Sequence, residues 1–467
     1  MNESTPDVQT NRDRRIRDAC TFVAAFLLAW LVGSLADPPP FIYDAGIYWS
    51  SADRFTVDGS WSLWNYDDSL RGLAPALLFG GVRSIGGWLG TSPLATVNIF
   101  NALLFAWIGT ILAPRVAQLA WAEARFGIVR RLVLVGLLLL FWRGYLNFPL
   151  TDFPALACGL LALLAVARAP SLPWLLLSGV AVSFAINLRP AFILLVPAII
   201  GLAIWNSRTA LPRPNRIRRL LGVAAVVLGL AVLMVPQSIV SHRHHDTWSP
   251  IAGAAENLTG FQLYTGLVLQ RYETYLGPSD RSASMRYNDP HTEKIVAELN
   301  ERGGLEGYGD YLRVVLDHPI GVAGVWLRHL VNGMDQRYSS TYVTELDSGG
   351  ARPLRAFGFL IAFAALVRLA WPAARRSLGK ARWRYPLAVV LTCVTILPSA
   401  VETRFLLPLY LLTYLLVLAP GWPLARLVGE KSEGLRRFRV PAAIAVGFLV
   451  YAAVVLTIIE GASRNLE

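Results

Sequence analysis

The hydrophobic positions of this chain fall into long continuous runs that are separated by short polar stretches. Many runs are about 16 to 22 residues long, close to the length that a helix needs to cross a bilayer core. Lipid cannot satisfy free backbone N–H and C=O groups, so each run is predicted to be helical. The pattern therefore predicts an all-α fold, a polytopic transmembrane helix bundle of about eleven spans.

The predicted spans cover residues 20–36, 93–113, 131–145, 152–167, a pair of helices around 187–190, 220–236, 353–371, 385–400, 404–420 and 440–460. Two further apolar stretches are less regular. Residues 72–90 are short and glycine-rich, which favours an external juxtamembrane helix that is interfacial or re-entrant. Residues 319–333 are interrupted by Arg328 and His329, so they are not counted as a span.

Composition and charge agree with a membrane protein. Of the 467 residues, 54% are hydrophobic and 16% are charged, which is too apolar for the surface of a soluble domain of this size. The net charge is +12, yet more than half of the Lys and Arg residues lie in short stretches that alternate with less basic connections. This alternation is the positive-inside pattern of a multi-pass protein. It excludes the need for a nucleic-acid partner.

The same alternation gives a topology with a cytoplasmic N-terminus. The run after the basic N-terminal stretch ends in residues 37–40 (DPPP) rather than a cleavage site, so it is predicted to be retained as a signal-anchor. The predicted parts are a cytoplasmic tail (1–18), an N-terminal transmembrane module (19–240) with an external juxtamembrane segment (37–92), one large external loop or small soluble region (241–352), C-terminal transmembrane helices (353–460) and an external tail (461–467).

Charged residues near the external ends of the predicted helices are the candidates for chemistry, because ionisable groups at membrane depth are costly. A carboxylate can deprotonate a hydroxyl or hold a divalent cation. An arginine can bind a phosphate through two parallel hydrogen bonds. Together they indicate transfer from a lipid-phosphate donor, although a transporter of an anionic solute would need the same groups. The candidates are Asp44, Asp53, Arg71, Arg143, Asp152, Arg189, Glu402 and Arg404.

Each of these residues also has a structural interpretation. Asp44 and Asp152 could be helix N-caps, since Asp is a favoured capping residue. Arg143 and Arg189 could extend towards lipid headgroups. The acid and the arginine within residues 402–404 could pair only with each other.

A histidine-rich stretch follows the span at 220–236. Its side chains are of metal-binding types, but they lack the i, i+4 spacing of a helical metal site. A polar exit from the helix is the preferred interpretation, and a contact with the acceptor is the alternative. The residues concerned are His242, His244, His245 and Asp246.

Four short motifs resemble those of the GT-C superfamily of polyprenyl-phosphate-sugar-dependent glycosyltransferases. They are residues 43–48 (YDAGIY), 71–75 (RGLAP), 150–154 (LTDFP) and 402–408 (ETRFLLP). Their order and predicted topology are similar to the family 39-like branch, which includes protein O-mannosyltransferases and the aminoarabinose transferases of lipid A. Many members have two adjacent acids in the first motif, whereas Ala45 follows Asp44 here.

The resemblance implies a role for each matching residue. Asp44 would be the catalytic base. Arg71 and Arg404 would bind the donor phosphate, and Asp152 and Glu402 would bind the acceptor or a cation or orient these arginines. Beyond the roles that the resemblance carries over, Arg189 is a further candidate for the donor phosphate, and Asp53 and Tyr48 are further candidates for binding the acceptor or a cation or for orienting the arginines. No cofactor is implied with certainty, and a divalent cation (Mg²⁺ or Mn²⁺) is left open.

The sequence therefore predicts an enzyme, an inverting glycosyltransferase in a bacterial plasma membrane with its active site on the external face. Its expected partners are a polyprenyl-phosphate-linked sugar, membrane lipids and a glycan, glycolipid or protein acceptor. Two alternatives are left open. One is a transporter or flippase of lipid-linked sugars, and the other is an O-antigen ligase or polymerase-like enzyme that uses a lipid-diphosphate donor.

Overall fold

The chain folds mainly into helices, as a computed structural model shows. The structure describes residues 6–121, 126–210, 216–254, 257–276, 282–346, 349–371, 382–419 and 436–466. The helices of the first half are α1 (Pro6–Ser34), α2 (Tyr43–Ser50), α3 (Leu73–Trp88), α4 (Pro93–Trp107), α5 (Ala113–Ala120), α6 (Ile128–Trp142), α7 (Asp152–Val166), α8 (Leu172–Leu188), α9 (Leu195–Ala210) and α10 (Arg216–His245). Those of the second half are α11 (Leu258–Val268), α12 (Glu293–Glu301), α13 (Tyr308–Asp317), α14 (Pro319–Gly333), α15 (Ala351–Ala370), α16 (Arg384–Val394), α17 (Leu407–Leu418) and α18 (Arg436–Glu460).

Six helices in the described ranges are long and apolar enough to cross a membrane: Arg15–Ser34, Pro93–Ala120, Pro190–Arg208, Arg216–His245, Ala351–Ala370 and Ala443–Glu460. Four apolar helices are shorter: Asp152–Val166, Leu172–Leu188, Arg384–Val394 and Thr403–Leu418. Every predicted span contains a helix, so the helical bundle is confirmed. The number of helices that cross the membrane stays a prediction.

The centre of the bundle is α7, which is apolar all round and buried on nearly every side. The outer helices instead expose apolar residues, as a surface facing lipid would. Next to α7, helices α8 and α10 touch through glycine, because a Cβ on Gly179 would collide with the backbone of Val226 and Gly229. Small residues allow such a close approach between helices. This contact holds the middle parts of α8 and α10 close together.

The region 241–352 also contains strands that the helical prediction did not foresee. Strands β3 (Leu269–Leu276), β4 (Ser282–Asn288), β5 (Tyr342–Val343) and β6 (Ser463–Leu466) form a sheet in the order β5-β3-β4-β6, separate from the short hairpin β1 (Thr56–Val57) and β2 (Ser60–Trp61). β5 is parallel to β3, and the other pairs are antiparallel. Because β6 follows α18, the chain beyond the last helix lies at the same end of the bundle as the sheet.

Helices α11 to α14 pack beside the sheet around their own small apolar core. Its buried members include Leu263, Leu267, Ile295, Leu299, Tyr311, Val314 and Val322. Helix α14, which was not counted as a span, carries His329 fully buried between two carbonyl groups, Leu397 O and Leu269 O. Burial lowers the pKa of His329, and its hydrogen bonds to the two carbonyl groups oppose this effect without outweighing it.

Candidate functional site

The site is built around Asp44, which lies in the first turn of α2. Its Oδ1 accepts a hydrogen bond from Arg71 Nη2 at 2.6 Å, and its Oδ2 accepts one from Arg404 Nη2 at 2.8 Å. The side chain of Asp44 is 27% exposed, so the carboxylate is accessible in spite of both ion pairs. Asp44 does not cap α2, whose N-cap is Ile42. The capping interpretation of Asp44 is therefore wrong.

The first turn of α2 is held by a residue far along the chain. The Tyr342 hydroxyl donates to Ile42 O at 3.1 Å and accepts from Ala45 N at 3.2 Å. On the other side of the turn, Gly46 lies against Phe41 O, and a Cβ there would approach this oxygen to 2.9 Å. These contacts fix the direction in which the Asp44 carboxylate points.

Arg71 is positioned from both sides of the turn that precedes α3. The Asp68 carboxylate accepts from the backbone N–H groups of Leu70 and Arg71, each at 2.9 Å. The free N–H groups at the start of α3 are satisfied by buried amides of α8 and α10, with Ala74 N donating to Asn187 Oδ1 and Leu73 N to Gln237 Oε1. Backbone N–H groups at a helix start need such partners when they are buried.

Tyr48 lies one helical turn after Asp44 and joins the same cluster. Its ring stacks on Phe79, with 6.3 Å between ring centroids, and the Arg71 guanidinium lies 5.9 Å from its centroid. Burial raises the pKa of Tyr48, so the phenol stays protonated.

Arg404 is held in a short 3-10 helix, Thr403–Leu406, that strand β3 supports. Its guanidinium bonds to Glu402 as well as to Asp44, so the acid and the arginine do not pair only with each other. Thr403 N and Oγ1 both donate to Glu273 Oε1, and Arg271 Nη2 donates to Thr403 Oγ1 at 2.8 Å. Strand β3 thus sets the position of Arg404.

The last pair of the cluster is Arg189 and Asp152. Arg189 Nη1 bonds to Asp152 Oδ1, and the Arg189 guanidinium lies 4.4 Å from the centroid of the Phe405 ring. Arg189 is therefore tied into the protein rather than extended towards lipid headgroups. The N-cap of α7 is Thr151, so Asp152 is not the cap. Asp152 Oδ2 is buried and has no hydrogen-bond partner within the described part of the chain.

The charges of this cluster control its acid–base behaviour. Burial raises the pKa of Asp44, but the adjacent Arg404 and Arg71 outweigh that effect and lower it to about 2. For Glu402, burial outweighs Arg404 and the pKa is raised. A carboxylate that prefers so strongly to stay ionised is a weak base, because base strength falls with the pKa.

Several predicted site residues lie outside this cluster. Asp53 forms an exposed ion pair with Arg83, and its side chain is 63% exposed. His242 stacks on Trp248, and the exposed His244 bonds through Nε2 to a backbone carbonyl, Trp64 O, at 2.8 Å. No group of three or more His, Cys, Asp or Glu side chains suited to a metal assembles within the described ranges. The metal interpretation of the histidines is therefore not supported by the residues around them.

Arg143 instead lines a cavity of about 450 Å³ beside the site. The walls combine hydroxyl-bearing and charged side chains with apolar residues of α6 and α15. Tyr342, which holds α2, is part of the same wall. Other residues around the cavity are Leu140, Arg337, Ser339, Ser340, Glu345, Leu354 and Phe357.

Sequence reasoning missed the residues that support the site. Asn187, Gln237, Glu273 and Tyr342 bond to its backbone, and Arg271 bonds to the Thr403 hydroxyl. For Arg271 and Glu273 the available signal was an i, i+2 pair of opposite charges in a strand-like stretch. No protein-family model matches this chain, and no curated protein matches it significantly.

Proposed function

We propose that this protein is an inverting, membrane-embedded glycosyltransferase that uses a polyprenyl-phosphate-linked sugar. The observation that carries the proposal is the convergence of six charged side chains from five separate parts of the chain. These are Asp44, Arg71, Asp152, Arg189, Glu402 and Arg404. Three guanidinium groups beside an accessible carboxylate suit a donor phosphate next to a general base.

In the proposed reaction, an acceptor hydroxyl oxygen attacks the anomeric carbon of the donor sugar. The bond between that carbon and the phosphate oxygen breaks, and the lipid phosphate leaves with the electron pair. The acceptor proton passes to the Asp44 carboxylate. Attack from the side opposite to the leaving group inverts the configuration.

The ion pairs of Asp44 support a specific order of events. Its two oxygens are bonded to Arg71 and Arg404, which makes it a weak base. A donor phosphate that takes these guanidinium groups also competes with Asp44 for them. Loss of either partner raises the pKa of Asp44 and strengthens the base, so donor binding prepares the carboxylate for the acceptor.

A divalent cation fits these residues poorly. The oxygens of Asp44 and Glu402 lie on guanidinium groups, and Ala45 supplies no second acid beside Asp44. Carboxylate ligands for Mg²⁺ or Mn²⁺ need oxygens that are free to turn towards the ion. No step of the proposed reaction is therefore assigned to a metal.

A lipid-diphosphate donor is a second candidate, and the observation that favours it is the third arginine. Arg189 lies close enough to Arg404, Glu402 and Asp44 to interact with all three electrostatically. A third guanidinium would match the additional negative charge of a diphosphate. The acceptor in either case is a glycan, glycolipid or protein on the external side of the membrane.

The test is transfer by the purified protein in lipid nanodiscs, with radiolabelled polyprenyl-phosphate sugar and polyprenyl-diphosphate sugar offered separately. We expect product from the monophosphate donor and a loss of about 10²- to 10⁴-fold in Asp44→Asn. Asp53→Asn is the matched control, because Asp53 lies on the same external segment but pairs with Arg83. Normal transfer by Asp44→Asn, or sugar transport without a new glycosidic bond, contradicts the proposal.

A further inference from the structure

A groove at the far end of the bundle from Asp44 lies between α1 and the helix that runs from α4 into α5. Its volume is about 620 Å³. The inner walls are aromatic and aliphatic, and the charged residues lie at one end, which we call the mouth. The inner walls are formed by Phe22, Val23, Phe100, Leu103, Leu104, Trp107 and Ile111, and the charged residues at the mouth are Arg15, Asp18 and Arg115.

The backbone of the second wall is built so that Arg115 faces the groove. Residues Ile108–Leu112 form a π turn between α4 and α5. In a regular α-helix, Leu103 and Arg115 would point about 120° apart, at about 100° per residue. One extra residue in a π turn reduces this difference to about 20°. The π turn therefore places Arg115 on the same face as Leu103 and Trp107.

The charges at the mouth leave an excess of positive charge. Asp18 is neutralised by Arg131, whose Nη1 bonds to Asp18 Oδ1. Arg15 and Arg115 are exposed, and no ion pair of either is found in the part of the chain that the structure describes. Two accessible guanidinium groups at the end of an apolar groove complement an anionic headgroup that is attached to an apolar chain.

The depth of the groove agrees with such a ligand. Arg15 and Val23 are eight residues apart on α1, which corresponds to about 12 Å along the helix axis. Arg115 and Trp107 have the same separation on the other wall. A free phosphate would leave the apolar walls uncovered, and an uncharged lipid would leave both arginines without a partner.

We propose that this groove is a binding site for one anionic diacyl phospholipid, with its phosphate between Arg15 and Arg115 and an acyl chain along Leu103 and Trp107. The leaflet is the one at the basic end of α1. This inference uses none of the residues of the Asp44 cluster, so it holds whether or not the proposed transferase reaction is correct.

The experiment is native mass spectrometry of the full chain released from detergent, titrated with phosphatidylglycerol or with phosphatidylcholine of the same acyl chains. We expect one phosphatidylglycerol to bind at least tenfold more tightly than phosphatidylcholine. The double variant Arg15→Gln/Arg115→Gln should lose about 10- to 30-fold in phosphatidylglycerol affinity. Both arginines are expected to contribute to this affinity, because a basic residue near a membrane surface strengthens the binding of an anionic lipid.

Two further variants separate this site from general attraction between lipid and basic residues. Leu103→Trp keeps both arginines but fills the groove, and it should weaken phosphatidylglycerol binding by a similar factor. Arg216→Gln/Arg218→Gln removes two exposed basic residues of α10 and should leave binding unchanged. Equal binding of both lipids, equal losses in the two arginine double variants, or competition by millimolar inorganic phosphate would overturn the proposal.

Discussion

Two clusters in this protein use the same chemistry, a carboxylate held by several arginines, and differ in access to solvent. Asp335 accepts hydrogen bonds from Arg337 and Arg355 and pairs with Arg271 at 3.0 Å. Asp335 and Arg271 are completely buried. Asp44 is held by two arginines but stays 27% exposed. We call the Asp335 cluster closed, because its carboxylate is fully buried, and the Asp44 cluster open, because its carboxylate can exchange a partner for a ligand.

This difference in access indicates that the closed cluster supports the fold and that the open cluster takes part in the chemistry. Removing one member of a closed cluster leaves buried charges without compensation. In an open cluster, water or a substrate can replace the missing partner. The two clusters are also connected, because Arg271 contacts both Asp335 and Thr403, the residue beside Arg404. We expect substitutions in the closed cluster to affect folding and those in the open cluster to affect activity.

The largest expected effect is that of Asp335→Asn. The substitution leaves Arg271, Arg337 and Arg355 without their shared carboxylate, and the loss of a buried partner costs about 3–5 kcal/mol. We expect a lower yield of folded protein and a clearly lower Tm, measured by thermal unfolding in detergent. A Tm equal to that of the wild type would show that the closed cluster is not needed for folding.

Arg404→Lys tests the open cluster with a smaller change. Lysine keeps the charge but cannot bond to Asp44 and Glu402 at once in the geometry of a guanidinium group. We expect kcat/KM for the donor to fall about 10- to 100-fold, with a Tm much closer to the wild type than that of Asp335→Asn. Loss of folding as severe as in Asp335→Asn would remove the distinction between the clusters.

Glu273→Gln tests the connection between them. The amide keeps the shape of the side chain but removes the charge that accepts from both polar groups of Thr403. Because the 3-10 helix Thr403–Leu406 then holds Arg404 less firmly, we expect the KM for the donor to rise about tenfold with a smaller change in kcat. Glu298→Gln is the matched control, since Glu298 is exposed on α12 and pairs with His318. A fall in kcat alone would argue against a positioning role.

The smallest effect concerns pH. The pKa of Asp44 is lowered from an unfolded value of about 3.9 to about 2 in the folded protein. Its contribution to stability is therefore complete above about pH 5 and is lost as the pH falls through about 2. The difference in Tm between the wild type and Asp44→Asn should therefore shrink towards zero as the pH falls from about 5 to about 2. A difference that is independent of pH would show that Asp44 does not titrate in this way.

The sequence was sufficient to find the members of the open cluster. A charged residue in an apolar neighbourhood is conspicuous, and Asp44, Arg71, Asp152, Arg189 and Arg404 all stood out for that reason. The helices were predictable because long apolar runs leave the backbone no alternative in lipid. The sequence did not show that these residues lie together in one cluster, because that depends on how helices far apart in sequence pack together.

The closed cluster and the sheet were not predictable in the same way. Charges are ordinary in a polar stretch such as 241–352, so Arg271, Glu273 and Asp335 gave no signal of burial. In β3, the consecutive residues Gln270 and Arg271 are both buried, which hides the alternation by which strands are recognised. Asp53 and Arg143 stood out for their location but pack elsewhere, since a charge near a helix end does not determine which way the side chain turns.

The two hydrogen bonds of Tyr342 have a mechanical consequence. One hydroxyl joins the wall of the cavity beside Arg143 to both ends of the turn that carries Asp44. A molecule that enters the cavity and displaces this ring must break both bonds and release the turn. A displacement of Tyr342 would therefore change both the shape of the cavity and the direction of the Asp44 carboxylate.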